Sequence, residues 1–336
     1  MLSRPAALDA LIGAIEGCER LVLLGDTVEL PEPGDSGAFA IADPILRAIG
    51  ATVGRAGEIV LVPGNHDDGL IREWLRARAE DLAVDSPVPA TATAALAHTV
   101  ACLEPARVSV HYPGVWLNDS IWATHGHYLD LHLFPIGAYG IARGWRARGV
   151  GQRWMPLDYE RALAADRARL EVRLPGPLAE VFEGLSELAR AWTMPRRQPR
   201  RSPWRPSRLV NRLLSPRHAP LTAKMLSGQM RRFSIPALVS VVEHLGIDAD
   251  WVLFGHVHRL GPLPGDDPAQ WAAQGGRPRI VNSGSWLYEP LLVHRASPPH
   301  PYWPGGAIVL EDGRDPRPIG LLDSLTSSAL ASDVAL

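Results

Sequence analysis

Ile59-Val60-Leu61-Val62-Pro63-Gly64-Asn65-His66-Asp67 opens with four aliphatic residues and closes, past a Pro-Gly corner, on three polar side chains able to meet a cation or an anion. The apolar run is short and rich in β-branched residues, so it reads as a buried strand. Three further stretches are built the same way: Leu21-Val22-Leu23-Leu24-Gly25-Asp26, Ile121-Trp122-Ala123-Thr124-His125 and Trp251-Val252-Leu253-Phe254-Gly255-His256. Helical patterns fall between them at about 39–50, 69–81 and 235–246, which gives the alternation of a layered α/β fold. Ligands bind at the carboxyl ends of strands in such folds, so four runs that each stop at Asp, Asn or His imply one shared site.

Working outward, an amphipathic helix is expected at the start, with Ser3 as N-cap, Pro5 in its first turn, one apolar face of Leu8, Leu11, Ile12 and Ile15, and Gly17 as its end. Residues 107–112 and 279–282 read as further strands, and 307–310 with 319–322 as a hairpin around Asp312-Gly313. These assignments divide the chain into a first part of the core (1–127), a helical, Arg/Pro-rich insertion or cap (128–234), a second part of the core (235–322) and a flexible tail (323–336). The insertion begins with the aromatic and glycine-rich Phe134 to Trp145, continues through helices at 157–173 and 177–192, and ends in the Pro/Arg-rich 195–220.

With 336 residues, 46% of them hydrophobic, the chain can bury a large core, and its 21% charged content is that of a globular protein. Cys18 and Cys102 show no CxxC or Cys/His zinc spacing, so neither a disulfide framework nor a structural zinc module is expected. No secretory pattern opens the chain, and no run approaches the roughly 18 apolar residues of a membrane span, so a soluble cytoplasmic protein is expected. The net charge of −2 hides an asymmetry: no acidic residue lies between Glu187 and Glu243, while Arg196, Arg197, Arg200, Arg201, Arg205, Arg208, Arg212 and Arg217 all do. Such a segment either stays solvated or faces an anionic partner or membrane surface.

Each polar motif has a plain structural reading. Gly25-Asp26 can be a turn, Gly64-Asn65-His66-Asp67 a helix entry, His125-Gly126-His127 a pair of core histidines and Gly255-His256-Val257-His258 a loop. Their ordered recurrence behind apolar runs favours the functional reading. A carboxylate, an amide oxygen and several imidazoles form a mixed O/N set suited to Mn, Fe, Zn or Co, and His256 and His258, two apart on extended chain, point the same way. Glycine before Asp26, Asn65 and His256 lets the backbone turn close to a ligand.

As an ordered set, Gly25-Asp26-Thr27-Val28-Glu29, Gly64-Asn65-His66-Asp67, His125-Gly126-His127 and Gly255-His256-Val257-His258 resemble the signature of the calcineurin-like metallophosphoesterases, over about residues 20–260. Asn282 to Trp286 resembles the Gly-Ser-Trp segment that often follows. The resemblance implies an α/β/β/α sandwich with a helical cap and two divalent metal ions. It implies that Asp26 bridges the metals, that Asn65, His125 and His256 complete one site, and that His258 belongs to the other. It further implies that His66 protonates the leaving oxygen and that Asp67 holds the His66 ring. The expected activity is hydrolysis of a phosphomonoester or phosphodiester; the alternative is a non-catalytic or single-metal descendant that binds a phosphorylated ligand or anionic partner.

The family's opening strand, ending in Asp-x-His, has no counterpart before Gly25-Asp26, which leaves the second site Asp26 and His258 alone. A late annotated start, a shortened chain and a true loss each account for this, the first being preferred. Asp130-Leu131-His132 has the right spelling but reads as part of the cap, and no ligand role is carried to it. Without a partner strand, Leu21 to Leu24 is expected to show an unpaired apolar edge.

Overall fold

In the computed structural model, residues 1–30, 36–78, 82–132, 154–172 and 219–331 are described. Four strands form one sheet: β1 (Arg20–Leu24), β2 (Glu58–Val62), β3 (Ser86–Pro87) and β4 (Arg107–Tyr112), in the order β1-β2-β4-β3. β1, β2 and β4 run parallel, and β3 is antiparallel to β4. Five strands form the second: β5 (Gly114–Asn118), β6 (Ile121–Thr124), β7 (Trp251–Phe254), β8 (Leu260–Gly261) and β9 (Arg279–Ser283), ordered β5-β6-β7-β9-β8 with β6, β7 and β9 parallel. The fold is therefore mixed α/β.

Alternate residues of each strand serve different cores, as the period of two in a strand requires. Val60 and Val62 of β2, Ile121 and Ala123 of β6, Leu253 of β7 and Val281 of β9 meet in one cluster, so the two sheets face each other. Their neighbours point the other way. Ile59 and Leu61 pack with Leu46, Ile49 and Val53 of helix α2 (Ser36–Val53), Leu96 of helix α4 (Ala94–Cys102) and Ile15, the last residue of helix α1 (Pro5–Ile15). Trp122, Val252, Phe254 and Ile280 pack with Leu238, Val241, Val242 and Leu245 of the helix Ile235–Leu245. That helix ends as expected, at Gly246 with a left-handed φ of 66°. Among the described residues β1 lies at the sheet's edge and pairs with β2 alone, the edge expected for Leu21 to Leu24.

Several boundaries differ from the expectation. The stretch read as one helix at 69–81 is a 3₁₀ turn (Asp68–Leu70) followed by the short helix α3 (Arg72–Arg76). Leu70 and Ile71 donate to the carbonyls of Asp67 and Asp68, three residues back, which tightens the chain before an α-helical turn can form. The hairpin pairs β10 (Gly306–Val309) with β11 (Arg317–Gly320), a strand begun two residues early. Part of the tail is ordered: helix Ser327–Ala331 buries Leu330 beside Ala7 of α1, with Tyr302 and Trp303 in the same cluster. In the insertion, helix Pro156–Val172 is close to its expected span, and a helix at Ala219–Gln229 runs through a π-helical turn, Met230–Ser234, into Ile235–Leu245. Phe134 to Trp145, the helix expected at 177–192 and the Arg-rich 196–217 lie outside the described residues. Among the described residues no helix is long and apolar enough to cross a membrane.

Two histidines away from the strand ends make stability pH-dependent. Burial, helped by His244, pulls His132 down to about 4, and burial alone does the same to His300. His132 is held by Tyr159 Oη, 2.8 Å from its Nε2, and by the ring of Trp154. An unfolded histidine titrates near 6.5, so below that pH the unfolded chain takes up protons that the folded chain refuses. The urea midpoint is expected to fall steadily from pH 6.5 toward 4, with a shallower fall in His300→Gln. An unchanged midpoint across that range would contradict it.

Candidate metal centre

The loops that follow β1, β2, β6 and β7 meet at one end of the sandwich. His125, just past β6, has its Nδ1 3.1 Å from the carbonyl of Leu24 on β1. A carbonyl only accepts, so Nδ1 carries the ring hydrogen and Nε2 is a bare lone pair. Burial, only partly opposed by the Asp26 carboxylate and reinforced by His256 and His127, lowers the His125 pKa to about 3, so the ring is neutral at physiological pH.

That lone pair faces other acceptors. Asn65 turns its carbonyl Oδ1 to within 3.0 Å of it, and Asp26 places Oδ2 at 3.3 Å. His256 brings Nδ1 to 3.3 Å, while its Nε2–H is committed to Asp130, 3.0 Å from Oδ1 and 3.1 Å from Oδ2. Burial disfavours charge on His256, but the Asp130 carboxylate outweighs it and raises the pKa, so a proton and a cation compete for Nδ1. Acceptors gathered this closely with no hydrogen between Nε2, Asn65 Oδ1 and Asp26 Oδ2 repel one another. A cation among them reverses the sign of every contact.

Two glycines make the approach possible. A Cβ at Gly25 would sit 2.1 Å from Nδ1 of His125, and one at Gly64 would sit 2.5 Å from Oδ1 of Asp26. Gly25 is left-handed at φ 83°, as is Asp26 itself at φ 53°, a conformation in which a non-glycine residue is uncommon. Asp26 is fixed there by the backbone N–H of His66, which donates to its Oδ1 at 2.9 Å. Burial raises the Asp26 pKa, but the surrounding histidines and that N–H prevail and hold it below the ordinary carboxylate value.

His258 lies on the same loop as His256, also left-handed at φ 58°. Burial lowers its pKa to about 4, and the charges that act on it are those of His256, Asp26 and His66. The next residue anchors the loop. Arg259 donates from Nη2 to both carboxylate oxygens of Asp266 at 2.8 Å and from Nε to Ser227 Oγ at 2.8 Å, with its guanidinium 4.8 Å from the ring centroid of Trp271. Arg259 is 2% exposed, so Asp266→Ala strands a buried cation; stability is expected to drop by about 3–5 kcal/mol in chemical denaturation, and a drop below about 1 kcal/mol would show that the pair is not the anchor.

Two assignments change. The ring of His66 is held by Glu29, not Asp67: Nδ1 is 2.9 Å from Glu29 Oε1. That hydrogen bond, against burial and with help from Asp26, raises the His66 pKa. Asp67 is fully buried and serves the backbone instead. Its Oδ2 accepts from the N–H of Thr27 at 2.8 Å and its Oδ1 from the N–H of Gly64, which ties the β1 loop to the β2 loop. Burial and the charge of Asp26 push its pKa up to about 7.

Asp130, read from the sequence as a remote piece of cap, reaches His256. It sits on a 3₁₀ turn (His127–Leu131) that begins after Gly126, left-handed at φ 104°, and this turn swings the carboxylate back over the strand ends. His132, the other half of that Asp-x-His, turns away to Tyr159. His127 is buried nearby; its Nε2 is 3.2 Å from Tyr112 Oη, and its Nδ1 has no partner among the described residues. Among the described residues, the trio of His, Cys, Asp or Glu donors that all lie within 4.8 Å of one another is elsewhere, at Asp43, His98 and Cys102.

No family model matches the sequence, and no curated protein matches it.

Proposed function

We propose that this chain is a metal-dependent phosphoesterase of the calcineurin-like type, hydrolysing a phosphomonoester or phosphodiester. The observation that carries the reading is the meeting of metal-capable atoms from four strand ends: Asp26 Oδ2, Asn65 Oδ1, His125 Nε2 and His256 Nδ1. The sheet-on-sheet packing flanked by helices, and the ordered signature, support the α/β/β/α sandwich of that family. Asp26, Asn65, His125 and His256 would hold one divalent ion, and Asp26 with His258 would contribute to a second. Mn, Fe, Zn and Co all suit such O/N donors.

Bound there, divalent ions supply charge to neutralise phosphate oxygens and to acidify an attacking water. The protein's residues do the remaining work. Asp130 fixes the His256 ring through Nε2–H, so that Nδ1 is the nitrogen presented to the site. Glu29 holds Nδ1–H of His66, leaves Nε2 to face the substrate and favours the protonated ring, the form that can give a proton to a departing alkoxide. His66 and Glu29 are both partly exposed, so a substrate oxygen can reach them.

Chelator-stripped protein should hydrolyse neither an aryl phosphate monoester nor an aryl phosphate diester, and adding back Mn²⁺ or Co²⁺ should restore turnover of at least one. Stoichiometric metal binding without hydrolysis of either ester class would replace the enzyme by the alternative, a protein that binds a phosphorylated ligand.

A further inference from the structure

The helices outside the first sheet carry a second group of donors, unconnected with the strand ends. Asp43 lies on α2, and His98 and Cys102 lie on α4, four residues apart and therefore on one face. From the sequence, neither cysteine has a zinc spacing; the third donor comes from another helix, 55 residues away in the chain from His98. Asp43 Oδ1 is 2.9 Å from His98 Nε2, and Cys102 Sγ is 3.7 Å from the same nitrogen. All three donors lie within 4.8 Å of one another.

The geometry separates two chemistries. A Cys-His-Asp proton relay needs the thiol on one imidazole nitrogen and the carboxylate on the other. Here both contacts fall on Nε2, so the three side chains point at a common centre and not along a line. Convergence on one point is what chelation requires. Donors around a tetrahedral zinc ion, at about 2.0–2.3 Å from it, are separated by about 3.3–3.7 Å, and the observed 2.9 and 3.7 Å bracket that spacing.

The surroundings fit as well. Cys102 is 2% exposed and forms the floor, while the His98 side chain is 43% exposed and leaves the outer side open to solvent. Phe39 meets the His98 ring edge-on, with centroids 4.8 Å apart, and limits its rotation. The set of one thiolate, one imidazole and one carboxylate is softer than the O/N set at the strand ends.

We propose that Asp43, His98 and Cys102 bind a zinc-class divalent ion, with water as fourth ligand, and that this ion clamps α2 to α4. It is a site separate from the candidate metal centre and stands whether or not that centre hydrolyses phosphate esters.

Sulfur supplies the test, because the donors proposed at the strand ends contain none. Titrating the full chain with Co²⁺ should produce a thiolate-to-cobalt charge-transfer band in the near ultraviolet. The band should be lost in Cys102→Ser and in His98→Gln and should persist in Cys18→Ser and in Asp26→Asn. Far-ultraviolet circular dichroism establishes that each variant is folded, and Asp43→Asn, a change at a partly exposed position, gives a further readout as a weaker band should Cys102→Ser fail to fold. Folded wild-type protein that binds Co²⁺ without a sulfur band would overturn the proposal. So would a band that survives both Cys102→Ser and His98→Gln.

Discussion

Asp26→Asn is expected to abolish both metal binding at the strand ends and phosphoester hydrolysis while leaving the fold at least as stable as before. Asp26 Oδ1 accepts the His66 N–H, and the amide oxygen of asparagine can keep that bond. Its Oδ2 lies 3.3 Å from the bare Nε2 of His125. Asparagine places an NH₂ there and donates to Nε2, supplying a hydrogen between the Asp26 and His125 positions and filling the cation's place. A net gain of roughly 0.5–1.5 kcal/mol in the metal-free protein is the scale of one such bond. Metal analysis, activity and denaturation of the metal-free forms read the three consequences together. A variant that keeps its metal, or a metal-free variant several kcal/mol less stable, would show that Asp26 is a structural carboxylate and not a ligand.

His66→Gln is expected to slow turnover by about 10²–10⁴-fold, the usual range for loss of an acid-base group, with metal content unchanged. Glutamine keeps a polar head near Glu29 but cannot deliver a proton. The loss should depend on the leaving group: large for an alkyl phosphate, whose alkoxide must be protonated as it departs, and small for an activated aryl phosphate. Glu29→Gln should follow the same trend more weakly, because Glu29 acts only through the hydrogen bond to His66 Nδ1. An equal loss with every leaving group would assign His66 to substrate binding instead.

The strands were legible because their signal is local. Ile59 to Val62, Ile121 to Thr124 and Trp251 to Phe254 each carry an uninterrupted apolar run, and a buried strand needs nothing more to declare itself. The gathering of Asp26, Asn65, His125 and His256 followed from the same fact, since parallel strands deliver their last residues to one end. Side chains that meet across loops were harder to read. Glu29 and Asp67 are both carboxylates near His66, and the choice between them depends on how the β1 and β2 loops cross, which no periodicity records. Asp130 was hidden for a related reason: a 3₁₀ turn set by the left-handed Gly126 carries it to His256, 126 residues away. The pairing of Asp43 with His98 and Cys102 depends on the packing of α2 on α4, a contact between two helices that neither helix announces alone.

Diffraction from crystals equilibrated with Mn²⁺, collected at a wavelength sensitive to manganese, tests the central claim most directly. The expected result is an anomalous peak within ligand distance of Asp26, Asn65 Oδ1, His125 Nε2 and His256 Nδ1. A fully ordered map with no such peak, and with a water or a hydrogen-bonded amide occupying that place, would contradict it.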